Sequence, residues 1–111
     1  METKSGINGA KLYEIVSSIP IGKVTTYGLL AKVSGIHNPR VVGILLHKNP
    51  DPARVPCHRV VNSQGKLAKN YAFGGERAQA EKLKAEGVKI INRRVILDKY
   101  QWIPDFISEG Q

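Results

Sequence analysis

The first half of the chain carries apolar residues at the spacing of amphipathic helices. In the first such segment they lie on one face of a helix that begins near Ala10 and that Pro20 ends. The residues on that face are Leu12, Ile15, Val16 and Ile19. The pattern therefore predicts one helix packed against a core, preceded by a flexible N-terminus over residues 1–9.

Two shorter helices follow, joined by a tight turn. Thr26 is a suitable N-cap for a helix from Tyr27 to Ser34, which Gly35 ends. Asn38 is a suitable N-cap for the next helix, with Pro39 in its first position. The apolar stripe of this next helix is Val41, Val42, Leu45 and Leu46. Such a pair is typical of a helix-turn-helix, whose second helix meets DNA with its N-terminal end, but similar pairs occur in proteins that bind no DNA.

Turn-forming residues divide the second half of the chain. A loop over residues 49–52 precedes the segment that holds the only cysteine, and a short strand is predicted over residues 66–69. A fourth helix is predicted from Glu76 to Glu86, and residues 88–90 and 94–97 form a terminal hairpin.

The order of these elements predicts a mainly α fold with a small β-hairpin or sheet. We expect an α+β, winged-helix-like helix-turn-helix domain over residues 10–104. The aromatic segment 100–102 is expected to pack back onto this domain, and residues 105–111 to form a flexible tail.

Composition narrows the partners that the domain can have. The chain of 111 residues has a net charge of +8, which favours nucleic acid or another anionic surface, although some basic proteins are merely soluble. One cysteine allows no internal disulfide and no cysteine-based zinc cluster, and His37, His47 and His58 lack the close pairing of metal ligands. No apolar run is long enough for a membrane span, so we expect a protein of a reducing, intracellular compartment.

The segment Val55–Val61 carries the candidate chemistry. It places Cys57 beside His58 and Arg59, and neighbouring positive charge favours the nucleophilic thiolate. The alternative is that Cys57 is a small buried apolar residue, as free cysteines often are. Side chains adjacent in sequence do not face each other, so any coupling between Cys57 and His58 would run through a water molecule.

Several motifs together resemble a known family, the methylated-DNA–protein-cysteine methyltransferases. The motifs are Ile19–Tyr27, the helix-turn-helix, Asn49-Pro50, Pro56–Val61, Gly74-Gly75 and Glu86-Gly87. The resemblance covers about Leu12 to Ile90. The ending Tyr100-Gln101-Trp102 is more similar to the small alkyltransferase-like proteins, which usually have tryptophan or another residue in place of the reactive cysteine, whereas this chain keeps Cys57.

This resemblance implies a single-turnover enzyme that needs no cofactor and no metal. Cys57 would accept an alkyl group from O6-alkylguanine in duplex DNA, with His58 as the general base through water. Glu86 would orient His58, and Asn49 would support the turn that holds the cysteine. Because the target base must leave the stack, the protein would flip it into a pocket.

The same resemblance implies a set of contacts in the minor groove and in the base pocket. Arg40 would fill the space of the flipped base, and Tyr27 would help to rotate the nucleotide. The DNA contacts implied are Arg40, Tyr27, Thr26, Pro39, Val41, Gly43 and Arg59. The pocket residues implied are Tyr27, Leu46, Val60, Tyr71 and Ala72.

Three functional interpretations remain open at this point. The first is the alkyltransferase, a monomer acting on double-stranded DNA in the cytoplasm with the nucleoid, or in a eukaryotic nucleus. The second is a non-enzymatic lesion binder that hands alkylguanine to nucleotide-excision repair proteins. The third is a transcription regulator that reads the major groove. Purely structural roles also remain possible for single residues. Glu86 could be a solvated surface charge, Asn49 could simply form a turn before proline, and Tyr27 or Tyr71 could pack in the core.

Overall fold

The first helix, α1, is longer than its apolar pattern predicts. The computed structural model describes the backbone of residues 4–104 and the side chains of residues 9–104. Within it α1 spans Lys4–Ser17, so the expected flexible segment 1–9 is helical from Lys4 onward. Gly9 is buried near Leu45, and this contact supports the additional turns of α1. The spacing of apolar residues could not predict it, because glycine has no apolar side chain. Residues 1–3 and the predicted tail 105–111 lie outside the described residues.

The two helices that follow have the predicted bounds and caps. Helix α2 spans Tyr27–Ser34 and helix α3 spans Pro39–His47. The Leu29 N–H donates to Thr26 Oγ1 over 3.2 Å, and the Arg40 N–H donates to Asn38 Oδ1 over 2.9 Å, so both predicted N-caps are confirmed. Gly35 adopts a left-handed φ of 75° after α2, which turns the chain into α3.

These three helices enclose the larger of two apolar clusters. Leu12 and Val16 of α1 are fully buried against Leu30 of α2 and Val42 of α3. The cluster also contains Cys57 and Val60, from a short 3₁₀ turn over Cys57–Arg59 and the strand after it. The segment that holds Cys57 is therefore packed onto the helical core rather than extended from the surface.

A short parallel pairing, absent from the predicted elements, fixes that segment. Strand β1 (Thr25–Thr26) lies directly before α2, and strand β2 (Val60–Val61) lies directly after the 3₁₀ turn. They pair in parallel, with Thr25 opposite Val60 and Thr26 opposite Val61. Two-residue strands are too short to leave an alternating pattern in the sequence.

The remaining elements enclose the second apolar cluster. Helix α4 spans Gly75–Ala85, strands β3 (Ile90–Ile91) and β4 (Arg94–Val95) form an antiparallel hairpin, and α5 spans Leu97–Tyr100. Their shared core residues are Val24, Val61, Leu67, Leu83, Val88 and Val95. The prediction of a strand over residues 66–69 is wrong, since only Lys66 forms a bridge, an isolated one with Arg94. The chain turns beneath α4 at this point, and the Ala68 N–H donates to the Gln79 side chain instead of to a neighbouring strand.

The chain end returns to the domain as its aromatic residues predict. The Val24 N–H donates to the Tyr100 carbonyl over 2.9 Å, and the Trp102 N–H donates to the Val24 carbonyl over 2.7 Å. Trp102 packs against the larger cluster. The predicted fold class, mainly helical α+β with a helix-turn-helix and a small hairpin, is confirmed. Within residues 4–104, no helix has the length and apolar character needed to cross a membrane.

Replacing Gly65 tests the contact between the turn after β2 and strand β4. Gly65 has a φ of 81°, and a Cβ built there would overlap the Val95 carbonyl oxygen. We expect Gly65→Ala to lower the free energy of unfolding by about 2–4 kcal/mol, measured by urea denaturation, because left-handed strain adds to overpacking. The control is Gly28→Ala, where a Cβ meets nothing within 4 Å. Equal stability of the two variants would contradict this packing.

Candidate active site

Cys57 begins a 3₁₀ turn that hydrogen bonds hold from both sides. The Cys57 N–H donates to the Val55 carbonyl over 2.7 Å, and the Arg59 N–H donates to the Pro56 carbonyl over 2.9 Å. Asn49 is buried beneath this loop, and its Nδ2 donates to the same Val55 carbonyl over 2.8 Å. Asn49 thus fixes the approach to Cys57, as a supporting residue for the turn would.

A partly buried carboxylate links the turn to the end of α4. Glu86 Oε2 lies 2.8 Å from His58 Nε2. Arg59 donates to both oxygens of that carboxylate, from Nε over 2.9 Å and from an Nη nitrogen over 2.8 Å. Its other Nη nitrogen donates over 2.7 Å to the carbonyl of Ile19, two residues after α1. This bidentate arrangement is among the strong charge-assisted contacts in proteins.

The surroundings of His58 leave one ring nitrogen buried and without a hydrogen-bond partner. Burial lowers the pKa of His58, although Glu86 acts in the opposite direction. Burial alone would raise the pKa of Glu86, but the hydrogen bonds from Arg59 and His58 lower it overall. With Nε2–H donating to Glu86, Nδ1 is the acceptor nitrogen, and it has no hydrogen-bond partner within residues 9–104.

The thiol itself is protonated at rest. Burial raises the pKa of Cys57, which is 6% exposed. Hydrogen bonding with the Asn49 side chain, the charge of Lys82 and hydrogen bonding with Tyr71 act in the opposite direction. Nucleophilic use of Cys57 therefore requires removal of its proton by a base.

Cys57 lines a small, partly open pocket with a cavity volume of about 40 Å³. The other residues that line it are Tyr27, Gly43, Leu46, His47, Ala68, Asn70, Tyr71 and Ala72. The pocket continues into a wider cleft whose walls add Arg40, Ile44 and Lys69. A route therefore leads from the exposed N-terminal end of α3 to the sulfur.

Most of the sequence-predicted site residues meet in this region. Tyr27, Gly43, Leu46, Tyr71 and Ala72 line the pocket with Cys57. Arg40 lies in the outer cleft, and Pro39 is exposed beside it at the start of α3. Asn49, His58 and Glu86 lie around the turn, so neither Asn49 nor Glu86 is an isolated surface group.

Four predicted contacts are placed elsewhere. Arg59 has a side chain only 12% exposed and pairs with Glu86, so it is not available to DNA. Val60 is fully buried in the core and does not line the pocket. Thr26 is 7% exposed and caps α2, while Val41 packs against the larger apolar cluster. In each case a structural contact satisfies the side chain that the resemblance had assigned to a ligand.

Sequence reasoning missed two polar residues of α4 that contact the site. Gln79 is fully buried; its Nε2 donates to the carbonyls of His58 and Val60, and its Oε1 accepts from the Ala68 N–H. Lys82 Nζ donates to the Tyr71 hydroxyl over 2.8 Å. Residues 79, 82, 83 and 86 follow helical spacing, so polar side chains on the inward stripe of α4 were the signal available. His47, for which the sequence predicts no role as a metal ligand, is exposed and lines the pocket.

The site has no constellation typical of a metal centre. No group of three or more His, Cys, Asp or Glu side chains in the described part of the chain could hold a metal ion. The functional groups that the site provides are the Cys57 thiol, the His58 imidazole with its unpartnered Nδ1, and the Lys82 ammonium group next to Tyr71.

Comparisons with known proteins agree with the motifs. The family model described as "6-O-methylguanine DNA methyltransferase, DNA binding domain" matches residues 9–88. Alkyltransferase-like protein 1 of Schizosaccharomyces pombe is 39% identical over 101 residues, which cover 85% of this chain and 93% of that protein. A methylated-DNA–protein-cysteine methyltransferase of Methanocaldococcus jannaschii is 46% identical over 66 residues, 58% of this chain and 36% of that protein.

A solved structure extends the likeness to three dimensions. The crystal structure of S. pombe Atl1 in complex with damaged DNA containing O6-carboxymethylguanine matches with a TM-score of 0.79 and 34% identity. The match covers 94% of this chain and 100% of that one. The helical core and the elements around the pocket therefore follow an arrangement already seen with DNA bound.

Removing the Glu86 charge tests the buried network. We expect Glu86→Gln to lower the free energy of unfolding by about 2–4 kcal/mol at neutral pH, because Arg59 loses its partner. The pKa of Glu86 is lowered from 4.5, so its stabilisation is present above pH 4.5 and is lost as the pH falls through the depressed value. Urea denaturation at a series of pH values should show that the free energies of unfolding of parent and variant become equal in strong acid.

The matched control for that experiment is Glu81→Gln. It removes the same charge from α4 at a side chain that is 72% exposed, and we expect little change in stability. A Glu86→Gln variant as stable as Glu81→Gln would mean that the network does not hold the turn.

Proposed function

Because this chain belongs to the family of the 6-O-methylguanine DNA methyltransferase DNA-binding domain, as its motifs predict, we propose that it repairs O6-alkylguanine in duplex DNA. It binds the minor groove, flips the damaged base into the pocket and transfers the alkyl group to Cys57. The observation that carries this proposal is the position of Cys57 in the wall of a pocket that opens beside α3, with His58 held by Glu86.

The DNA contact of the proposal depends on the exposed start of α3. Arg40 stands in its first turn, in the outer cleft, and can enter the space that a flipped base leaves. Gly43 leaves room for close approach, since a Cβ there would meet nothing within 4 Å. The net charge of +8 favours the phosphate backbone without regard to sequence.

The transfer step balances with the groups of the site. His58 Nδ1 takes the thiol proton through water, and the Cys57 sulfur attacks the alkyl carbon. The bond from sulfur to carbon forms as the bond from carbon to O6 breaks, and the electron pair of the broken bond stays on guanine. Guanine takes a ring proton from water in place of the alkyl group, His58 returns the thiol proton to water, and Cys57 becomes a thioether. Each molecule therefore reacts once.

A non-enzymatic lesion binder is the second candidate, and one observation favours it. Burial raises the pKa of Cys57, which disfavours the thiolate that transfer requires. The S. pombe relative, matched over nearly its full length, has been solved with damaged DNA. This candidate uses the same cleft, Arg40 and Tyr27, and hands the lesion to other repair proteins without using the thiol. A regulator that reads the major groove has no use for a thiol pocket of this kind.

Mass spectrometry after mixing the protein with duplex DNA that contains O6-methylguanine separates the two candidates. Transfer predicts one added methyl group on the peptide that contains Cys57 and on no other peptide. Cys57→Ser should bind the same DNA without gaining that group. Tight binding by the parent with no methyl gain would leave the lesion binder as the function.

Arg40→Ala tests the docking of α3. We expect binding to duplex DNA with O6-methylguanine to weaken roughly tenfold, measured by fluorescence anisotropy at fixed salt. Arg77→Ala is the control, because Arg77 is an exposed arginine of α4 that lines neither the pocket nor the cleft. Equal losses in both variants would point to general charge attraction and would contradict the proposed docking.

A further inference from the structure

Lys82 has an unusual environment for a lysine on a helix. Its Nζ donates to the Tyr71 hydroxyl over 2.8 Å. The same nitrogen lies 5.1 Å from the centre of the Tyr71 ring and 5.6 Å from that of the Phe73 ring. The two rings meet edge to face, with centroids 5.7 Å apart. Cation–π attraction and the hydrogen bond together hold the ammonium group over the two rings.

No acidic side chain in the described part of the chain pairs with this ammonium group. The ion pairs there join Glu86 to His58 and Arg59, and join other acids to Arg77 and Arg93. The charge of Lys82 is therefore not neutralised by a neighbouring carboxylate, and it can act on the pocket behind Tyr71.

Tyr71 connects that charge to the sulfur. It is 8% exposed and lines the pocket with Cys57. Burial raises the pKa of Tyr71, so the phenol keeps its proton at neutral pH. A phenol that accepts a hydrogen bond from an ammonium group is a better donor through its own O–H, since hydrogen bonds in a chain polarise one another. Its O–H is free to point at the sulfur once its oxygen accepts from Lys82.

We propose that Lys82 and Tyr71 form a relay that stabilises the thiolate of Cys57, with Lys82 as a positioning residue. The ammonium group polarises the Tyr71 hydroxyl, and the hydroxyl donates to the ionised sulfur. The relay rests on the proposed alkyl transfer for its purpose, but its effect on the sulfur exists without DNA.

The other groups that face Cys57 do not supply this positive charge. Tyr13 of α1 donates its hydroxyl to the Leu45 carbonyl over 2.6 Å. Burial raises the pKa values of Tyr13 and Tyr27, and negative charge on Cys57 raises them further, so both remain neutral phenols. His47 of α3 lines the pocket from an exposed position.

The groups on the cysteine's own turn are also committed to other partners. Burial lowers the pKa of His58, which keeps the ring neutral, and the Arg59 guanidinium is bound to Glu86. The charge of Lys82 and hydrogen bonding with Tyr71 both lower the pKa of the thiol against the effect of burial. Among the described residues, Lys82 is thus the cation that acts on the sulfur.

The test is the pH dependence of alkylation by iodoacetamide in the DNA-free protein. Cys57 is the only cysteine, so its modification, followed by mass spectrometry, reports the thiolate directly. We expect Lys82→Met to shift the midpoint upward by about one pH unit and to slow the reaction roughly tenfold at neutral pH. Tyr71→Phe should shift the profile in the same direction, and Lys82→Arg should keep the parent profile.

The double variant and a matched lysine complete the design. If Lys82 acts through Tyr71, adding Lys82→Met to Tyr71→Phe shifts the profile less than the sum of the two single changes. Lys84→Met removes the same charge from an exposed position of α4 and should leave the profile unchanged. A Lys82→Met profile that overlays the parent, or that Lys84→Met reproduces, overturns the relay. If Lys82→Met does not fold, a Tyr71→Phe profile equal to the parent overturns it as well.

The outcomes also separate the relay from the proposed function. Methyl transfer by the parent together with an unshifted Lys82→Met profile rejects the relay alone. A shifted profile in a parent that gains no methyl group from damaged DNA rejects the transferase and leaves the relay as a property of the thiol.

Discussion

The Glu86 carboxylate is the contact on which the arrangement of the site depends. It lies at the end of α4 and binds both side chains that follow Cys57 in sequence. Through Arg59 it is linked to the carbonyl of Ile19, two residues after α1. The side chain of Glu86 is only 17% exposed, so its charge depends on these partners for stabilisation. One carboxylate therefore holds the imidazole of His58 and the guanidinium of Arg59 in place on the turn that carries Cys57.

The cysteine is subject to two opposing requirements. Packing against the helical core gives the pocket a defined wall, but the same burial raises the pKa of the thiol. The sequence suggests that Arg59, two residues away, resolves this conflict. In the structure Arg59 serves Glu86 instead, and the positive charge near the sulfur comes from Lys82, on another helix and behind Tyr71. Proximity along the chain was thus a poor guide to which cation acts on the thiol.

Much of the fold could be predicted because local signals determine it. The caps of α2 and α3, the turn at Gly35 and the apolar stripes all act within a few residues, and their predicted positions agree with the structure. Three features depend on contacts between distant segments, and no periodic pattern in the sequence could predict them. They are the early start of α1, the pairing of β1 with β2 and the loop at residues 66–69. On the inner stripe of α4, Gln79 occupies a position that an apolar residue would normally fill. Its side chain donates to the carbonyls of His58 and Val60 and accepts from the Ala68 N–H, so it joins the turn, β2 and the loop before α4.

The pairing of Thr25 with Val60 has a consequence for how the protein reaches its final form. The helices that present Arg40 are consecutive in sequence and joined by short turns, so their contacts close small loops and form early. The thiol acquires its neighbours only when segments around residues 25, 60 and 86 have met, which requires closure of much longer loops. On a growing or partly opened chain, helices α2 and α3 would therefore form before the surroundings of Cys57 are complete, and local opening near the sulfur would leave these two helices in place.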